Sequence, residues 1–227
     1  IYLLDEHGNE KQTIHYYNSP DSLGLYLPID PSYLVRPGYS YRLKIQIPEL
    51  GTYITGETLV PGLLQLVKTN GVSFKYGQTP SYQATISPCT VIQNRTCQII
   101  FSATSLEVKP DHVVPFWQAG NNPFNLKKTP HIYSSPMFNE GNYPKDGKGN
   151  MVIDMLWISI THYGKTRVNI HTIDQNMADF YRSQSQQQQL LGRFGPGEMP
   201  NAISHLKGAV GVFGSYSTLT NVIEVHP

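Results

Sequence analysis

The sequence is poor in charged residues, which make up 15% of its 227 positions. So low a charge content argues against a coiled coil, a helical bundle or a solvated disordered chain. The formal net charge is +1, and basic residues do not cluster among aromatic ones. The electrostatic signature of nucleic-acid binding is therefore missing, and nucleic acid is not an expected partner.

Catalytic signatures are missing as well. The sequence lacks the His-Glu-x-x-His, Gly-x-Ser-x-Gly and Gly-x-Gly-x-x-Gly motifs of metalloproteases, serine hydrolases and dinucleotide-binding enzymes. Its eight histidines are scattered, and no two stand at the i, i+2 or i, i+4 spacing that builds a metal site from one element. We therefore expect no catalytic residue, metal or cofactor. An enzyme whose residues converge only in the fold remains an alternative.

No apolar run approaches the roughly 18 residues of a transmembrane helix. The chain opens in a strand-like segment, residues 1–4, without an initiator methionine. We expect a trimmed chain, so that any targeting or anchoring residue would lie upstream of Ile1.

What the chain has in abundance is glycine, proline and tyrosine, at 19, 17 and 15 residues. This composition favours β-structure with many turns. Residues 41–47 alternate apolar with polar side chains, and residues 52–58 follow after a turn, which predicts an antiparallel hairpin. We predict a mainly β protein of antiparallel β-sandwich architecture, made of two packed β units and one short helix in its C-terminal half.

A Val-Pro-Gly sequence at residues 60–62 marks the predicted boundary between the units. Residues 1–62 are predicted to form an immunoglobulin- or transthyretin-like β-sandwich unit. Residues 63–227 are predicted to form the second β-rich unit. Within it, the nearly continuous apolar run at residues 151–161 predicts a strand buried on both faces, paired with an alternating strand at residues 166–171.

A helix is predicted near residues 174–191 of this second unit. Thr172 and Gln175 have the spacing of a capping box, and aromatic residues recur after them at helical intervals.

The glycine-rich stretch 141–149 superficially resembles a phosphate-binding loop. Pro144 removes an amide that a phosphate cradle would need, and Gly149 stands where Ser or Thr would ligate magnesium. A calcium loop fails too, because Lys148 occupies a position that requires an oxygen ligand. A solvated turn is the better interpretation.

Residues 110–144 are rich in proline and asparagine and are predicted to form a long loop. The loop is also rich in aromatic residues, which must either complete a core or face a ligand or partner. Both interpretations stay open. The candidate ligand- or partner-binding residues are Phe116, Trp117, Phe124, Tyr133, Phe138 and Tyr143.

Cys89 and Cys97 bracket seven residues between two strand-like segments. The pair could close the arms of a hairpin as a disulfide, which would indicate an oxidising compartment. Two reduced thiols in an intracellular protein are the alternative. A metal site would need further ligands, and no His or acidic residue lies between the two cysteines.

Several segments together resemble a known family. They are IYLLDEHGNE at the start, VRPGYSYRLKIQIPELGTYITGETL after it, VNIHTI leading into DFYRS, and ISHLKGAVGVFGSYS near the end. These segments are similar to those of a Bacteroidota family of outer-membrane surface lipoproteins catalogued as a domain of unknown function. The resemblance covers roughly residues 1–62 and 132–225 and leaves both cysteines outside it.

The resemblance implies a protein tethered to the outer membrane by a lipidated cysteine upstream of Ile1 and exposed at the cell surface. It also implies a gene beside that of a TonB-dependent receptor. We therefore expect a non-enzymatic accessory or substrate-capture subunit of a TonB-dependent outer-membrane complex. Its expected partner is the TonB-dependent barrel or another outer-membrane protein, and a glycan or peptide is the candidate substrate. A stand-alone glycan-binding or adhesive module is the alternative, with Trp117, Trp157 or tyrosines stacking on sugars.

Overall fold

The computed structural model describes residues 1–5, 7–18, 20, 25–30, 32, 34–91, 97–118, 132–190 and 203–227. The strands in this part of the chain are β1 (Tyr2–Leu4), β2 (Glu10–Thr13), β3 (Tyr16–Asn18), β4 (Tyr26–Pro28), β5 (Ser40–Ile47), β6 (Thr52–Leu59), β7 (Leu66–Thr69), β8 (Ser73–Lys75), β9 (Gln83–Ile86), β10 (Gln98–Ser105), β11 (Ile132–Ser134), β12 (Phe138–Asn139), β13 (Met151–Asp154), β14 (Gly164–Ile173) and β15 (Tyr216–His226). The helices are α1 (Pro115–Gln118) and α2 (Gln175–Leu190).

The chain divides into two compact units. Unit 1 comprises Ile1–Gly62, Val91–Arg95 and Ile173–Tyr216, and unit 2 comprises Leu63–Thr90, Thr96–Thr172 and Ser217–Pro227. The mainly β, antiparallel prediction is confirmed, as is the helix in the C-terminal half. One boundary follows Gly62, and α2 with its flanks groups with unit 1. The division into a 1–62 sandwich domain and a 63–227 domain stays a prediction.

Unit 1 contains a four-stranded antiparallel sheet in the order β2-β1-β5-β6 and a separate β3-β4 hairpin. Strands β5 and β6 pair along their full length, from Ser40 opposite Leu59 to Ile47 opposite Thr52. The buried cluster Leu3, Ile14, Tyr41 and Val60 packs at one end of this pair, whereas Ile45 further along β5 is 42% exposed.

Helix α2 joins unit 1 through side chains at its first turn. The Asn176 amide donates to the backbone carbonyls of Glu57 and Phe213, at 2.5 and 2.8 Å. The predicted Thr172–Gln175 capping box is wrong. Asp174 caps the helix instead, since its Oδ1 accepts the backbone N–H of Met177 at 2.9 Å. Thr172 does not cap the helix because it still belongs to strand β14, which ends at Ile173.

Unit 2 contains two sheets. One has the order β11-β10-β14-β15-β8, with β12 also pairing with β10, and the other has the order β13-β9-β7. Strand β15 pairs with β8 in parallel. The pairs β10-β11, β10-β12, β13-β9 and β7-β9 are antiparallel. The alternating segment predicted at residues 166–171 lies in β14, whose side chains alternate between buried and more exposed.

Two sequence predictions in unit 2 need correction. The apolar run 151–161 is not one strand: β13 ends at Asp154, and a 3₁₀ turn, Trp157–Ser159, follows. The backbone N–H of Met155 donates to the Tyr82 carbonyl. The first residue after β13 therefore keeps a backbone hydrogen bond where the strand ends. The predicted loop 110–144 contains α1, β11 and β12. Within the described residues, no helix is long and apolar enough to cross a membrane.

Candidate functional site

An open cleft of about 340 Å³ lies in unit 2 beside strand β10. Its walls come from β10, β11, β12 and β13 and from the turns that follow the last two strands. The lining is mainly aromatic and apolar: Phe101, Tyr133, Ser135, Pro136, Phe138, Asn142, Tyr143, Ile153, Asp154 and Leu156. We call this the aromatic cleft.

Strand pairing positions one wall of the aromatic cleft. Tyr133 lies opposite Ala103 on β10, and Phe138 lies opposite Ile99. Between these two short strands, Ser135 donates its backbone N–H to the Phe101 carbonyl at 2.8 Å, while its hydroxyl accepts the Phe101 N–H at 3.0 Å. The chain therefore stays attached to β10 and delivers both rings to the same side.

The turn after β12 places the next aromatic residue. Asn139 accepts the backbone N–H of Gly141 through its side chain at 2.8 Å and so caps a short 3₁₀ turn. Tyr143 comes out of that turn with its ring 6.0 Å from the Phe138 ring, edge to face. Burial raises the pKa of the Tyr143 phenol to about 12, so the phenol is neutral at physiological pH.

The far wall combines a carboxylate with an exposed leucine. Asp154, at the end of β13, is exposed, and its Oδ1 accepts a hydrogen bond from the Gln83 amide at 2.8 Å. Leu156, just past the strand, is 67% exposed. A cleft that presents this much apolar surface with a few polar groups at its edge has the character of a binding site.

The six aromatic candidates divide into three sets. Tyr133, Phe138 and Tyr143 meet in the aromatic cleft. Phe116 and Trp117 form a separate edge-to-face pair on α1, at 5.5 Å, where the indole N–H of Trp117 donates to the Ile158 carbonyl. Phe124 lies outside the described residues.

Of the ten described residues that line the aromatic cleft, sequence reasoning named three and missed seven, among them Phe101, Asp154 and Leu156. Phe101 belongs to β10, whose partners β11 and β12 lie 28 to 41 residues further along the chain. Asp154 gave a usable signal, because it is the single charge in an apolar run and marks the end of β13.

Cys89 and Cys97 form a disulfide, as one of the two sequence interpretations held. Cys97 is buried at the start of β10, and its carbonyl accepts the backbone N–H of Glu140 at 2.9 Å. The bridge therefore anchors the strand end to which the turn bearing Tyr143 is attached. The two sulfur atoms are bonded to each other, so neither is a thiolate that could bind a metal ion.

A second cleft, of about 390 Å³, lies in unit 1. Its lining is also largely apolar, but it includes the hydroxyls of Thr58 and Ser215. Thr58 donates to Oδ2 of Asp174 at 2.5 Å and lies 2.6 Å from the Ser215 hydroxyl, which also donates to the Leu59 carbonyl. We call this the capped cleft, since its polar groups are bonded to the cap of α2.

Asp174 is 3% exposed, and burial raises the pKa of its carboxyl above the usual aspartate value. Its two oxygens bind the Met177 N–H and the Thr58 hydroxyl. The buried carboxylate therefore caps α2 and joins this helix to β6.

One Ser–His contact in unit 2 looks at first like a nucleophile and its base. The Ser102 hydroxyl lies 3.0 Å from Nε2 of His171. The other ring nitrogen meets the Thr218 hydroxyl at 2.9 Å rather than a carboxylate. Burial lowers the pKa of His171, and Ser102 is itself buried between strands. This polar ladder across β10, β14 and β15 joins neighbouring strands.

Unit 1 carries an exposed apolar surface that sequence reasoning assigned to a packed sandwich. The β3-β4 hairpin and the segment after it expose large apolar side chains, among them Tyr26 and Ile29 at 62% each and Leu34 at 77%. The hairpin satisfies its own pairing, with Tyr17 opposite Leu27.

Comparison with known proteins gives one match, to a family. No curated protein matches the chain, and no solved structure matches it. The model of a family described as a domain of unknown function, DUF4249, matches residues 3–221. The match spans nearly the entire 227-residue chain, and the chain belongs to this family of unknown function.

Proposed function

We propose that this protein is a non-enzymatic surface lipoprotein that captures a ligand in its aromatic cleft, as a subunit of a TonB-dependent outer-membrane complex. The observation that carries the proposal is the aromatic cleft itself. Three aromatic side chains from separate elements converge on one open cavity, and Leu156 beside them is left 67% exposed. Apolar surface of this kind is costly to leave in water unless something binds it.

The lining favours capture over chemistry. Among the described residues around the cleft, the ionisable ones are Asp154, Tyr133 and Tyr143. A carboxylate beside two tyrosines lacks the paired nucleophile and base that hydrolysis would require. The same groups are well suited to hold a ligand by ring contacts and hydrogen bonds.

The proposed location follows from two further observations. The Cys89–Cys97 disulfide is typical of proteins outside the cytosol. The segments that resemble outer-membrane surface lipoproteins of Bacteroidota supply the rest, including the lipid anchor, the surface exposure and the TonB-dependent partner. These finer attributes belong to the proposal.

A stand-alone glycan-binding module is the second candidate. The feature that favours it is the placement of Asn142, Ser135 and Asp154 beside the rings of Tyr133 and Phe138, since sugars are held by stacking and hydrogen bonds together. Such a module would act without a protein partner.

The two candidates separate in one experiment. The full natural protein is isolated from native outer membrane in mild detergent, and its companions are identified by mass spectrometry. We expect a TonB-dependent barrel in stoichiometric amount. A Leu156→Ser variant serves as the matched control, because it alters the cleft and should leave the barrel association intact if the cleft serves ligand capture. A protein that purifies alone would contradict the complex and favour the glycan-binding module.

A further inference from the structure

Electrostatics distinguishes the ligands that the aromatic cleft can take. The described residues that line the cleft carry one formal charge, the Asp154 carboxylate, and none of these described residues is Lys, Arg or His. Within the described part of the chain, no cationic side chain forms a salt bridge with Asp154. Its hydrogen-bond donor, the Gln83 amide, is neutral. The cleft therefore presents an uncompensated negative charge that is exposed to solvent.

The aromatic rings act in the same direction as that charge. The face of an aromatic ring carries negative electrostatic potential and attracts cations within about 6 Å of its centre. Phe138 and Tyr143 meet edge to face at 71°, so the two rings do not cover each other's faces as a stacked pair would. Tyr133 and Phe101 add further rings to the lining.

The dimensions suit a group of side-chain size. A cavity of about 340 Å³ lies at the lower end of the range for small-molecule sites. It can hold one ammonium or guanidinium group with part of the chain that bears it. An anionic ligand would meet the Asp154 carboxylate and the negative ring faces, and it would find no cation among the described residues of the lining.

We infer that the aromatic cleft binds an organic cation, an ammonium or guanidinium group that inserts among the rings of Phe138, Tyr143 and Tyr133 and pairs with the carboxylate of Asp154. This inference rests on the proposed function and names the class of ligand that the same cleft captures. The cation could belong to a lysine or arginine side chain of a peptide or to a small quaternary amine.

Matched pairs of probes test the charge directly. Choline is compared with its neutral carbon isostere 3,3-dimethylbutan-1-ol, and N-acetyl-lysine amide is compared with N-acetyl-norleucine amide. N-acetyl-arginine amide adds the guanidinium case. Dissociation constants are measured by NMR titration of the whole chain at neutral pH and low salt. We expect at least one cation to bind about tenfold more tightly than its isostere. The preferred probe then tells a peptide side chain from a quaternary amine.

Two variants assign the preference to the cleft. Asp154→Asn should bring the cation and its isostere to nearly equal affinity, and Phe138→Leu should weaken the cation more than the isostere. Asp111→Asn is the control, because it removes another exposed negative charge that lies outside the lining and should leave the preference unchanged. Equal binding of cation and isostere to the unmodified protein would overturn the inference. So would the absence of binding by all probes, or a preference that survives Asp154→Asn.

Failure here is distinguishable from failure of the proposed function. If no cation binds while the barrel still co-purifies with the native protein, the capture subunit stands and only the class of ligand is wrong.

Discussion

The two clefts resemble each other in size and in apolar lining, yet they use their polar groups in opposite ways. In the capped cleft of unit 1, the Thr58 hydroxyl is hydrogen-bonded to the buried Asp174 carboxylate and to the Ser215 hydroxyl, so the fold already satisfies these polar groups. In the aromatic cleft of unit 2, the carboxylate of Asp154 faces solvent. Polar groups that the fold has satisfied contribute to stability, whereas those left at an open edge remain free for recognition.

The largest expected effect concerns the packing against the capped cleft. A Cβ added at Gly214 would overlap Cγ of Met177 and would lie 3.0 Å from Oδ1 of Asp174. We expect Gly214→Ala to lower the free energy of unfolding by about 3 kcal/mol, measured by urea denaturation. Gly147→Ala is the control, since nothing lies within 4 Å of its added Cβ. Similar stability of the two variants would show that unit 1 is more loosely packed than described.

Exchanging the two carboxylates for alanine compares the clefts directly. Asp174→Ala removes the cap of α2 and leaves the Thr58 hydroxyl without its acceptor, so we expect a loss of about 2 kcal/mol in unfolding free energy. Asp154→Ala changes an exposed residue and should cost less than about 0.5 kcal/mol. The reverse order, measured in the same urea titration, would refute the division between a structural and a recognition carboxylate.

A repeated turn allows a comparison in which the two units should agree. The sequences DEHGN and DGKGN, at residues 5–9 and 146–150, share a set of hydrogen bonds among their described residues. In each, the Asp Oδ1 accepts the backbone N–H groups two and four residues on, and the Gly has a positive φ, +79° at Gly8 and +83° at Gly149. Gly8→Ala and Gly149→Ala should each lower the free energy of unfolding, measured by urea denaturation, by about 1 kcal/mol. If the losses in unfolding free energy of the two variants differ by more than about 1 kcal/mol, the surroundings of each turn, rather than the turn itself, determine the loss.

The smallest expected effect is a pH dependence within unit 2. Burial lowers the pKa of His171, so the unfolded chain binds its proton more readily than the folded chain does. Stability should therefore fall as the pH drops below the ordinary histidine value of about 6.5. In the His171→Gln variant, the melting temperature should fall less between pH 7.5 and 5.5 than it does in the unmodified protein. An unchanged slope would mean that other groups cause the decline.

Sequence patterns predicted the strands that alternate and the helix that carries periodic aromatics, because those signals are local. The strands β5 and β14 and the helix α2 were found in this way. The aromatic cleft was predicted only in part. Tyr133, Phe138 and Tyr143 stood out as aromatics in an irregular segment, but Phe101 and Leu156 reach the cleft through strand pairing and through a chain reversal after Asp154, which no local pattern encodes.

The grouping of α2 with unit 1 could not be predicted for a related reason. The contacts that decide it join residues more than 100 positions apart, such as Thr58 with Asp174. Hydrogen bonds of that separation leave no periodic signature in a single sequence.

The most direct test of the central claim asks which cleft is occupied in the cell. A photo-cross-linking residue replaces Leu156 in the aromatic cleft, Val35 in the capped cleft, or Val210, which is 83% exposed and lies outside both linings. After irradiation of cells that produce the full natural protein, adducts are identified by mass spectrometry. The account predicts a defined adduct at position 156 and only background at positions 35 and 210. A defined adduct at position 35 alone, or background at all three positions, would contradict it.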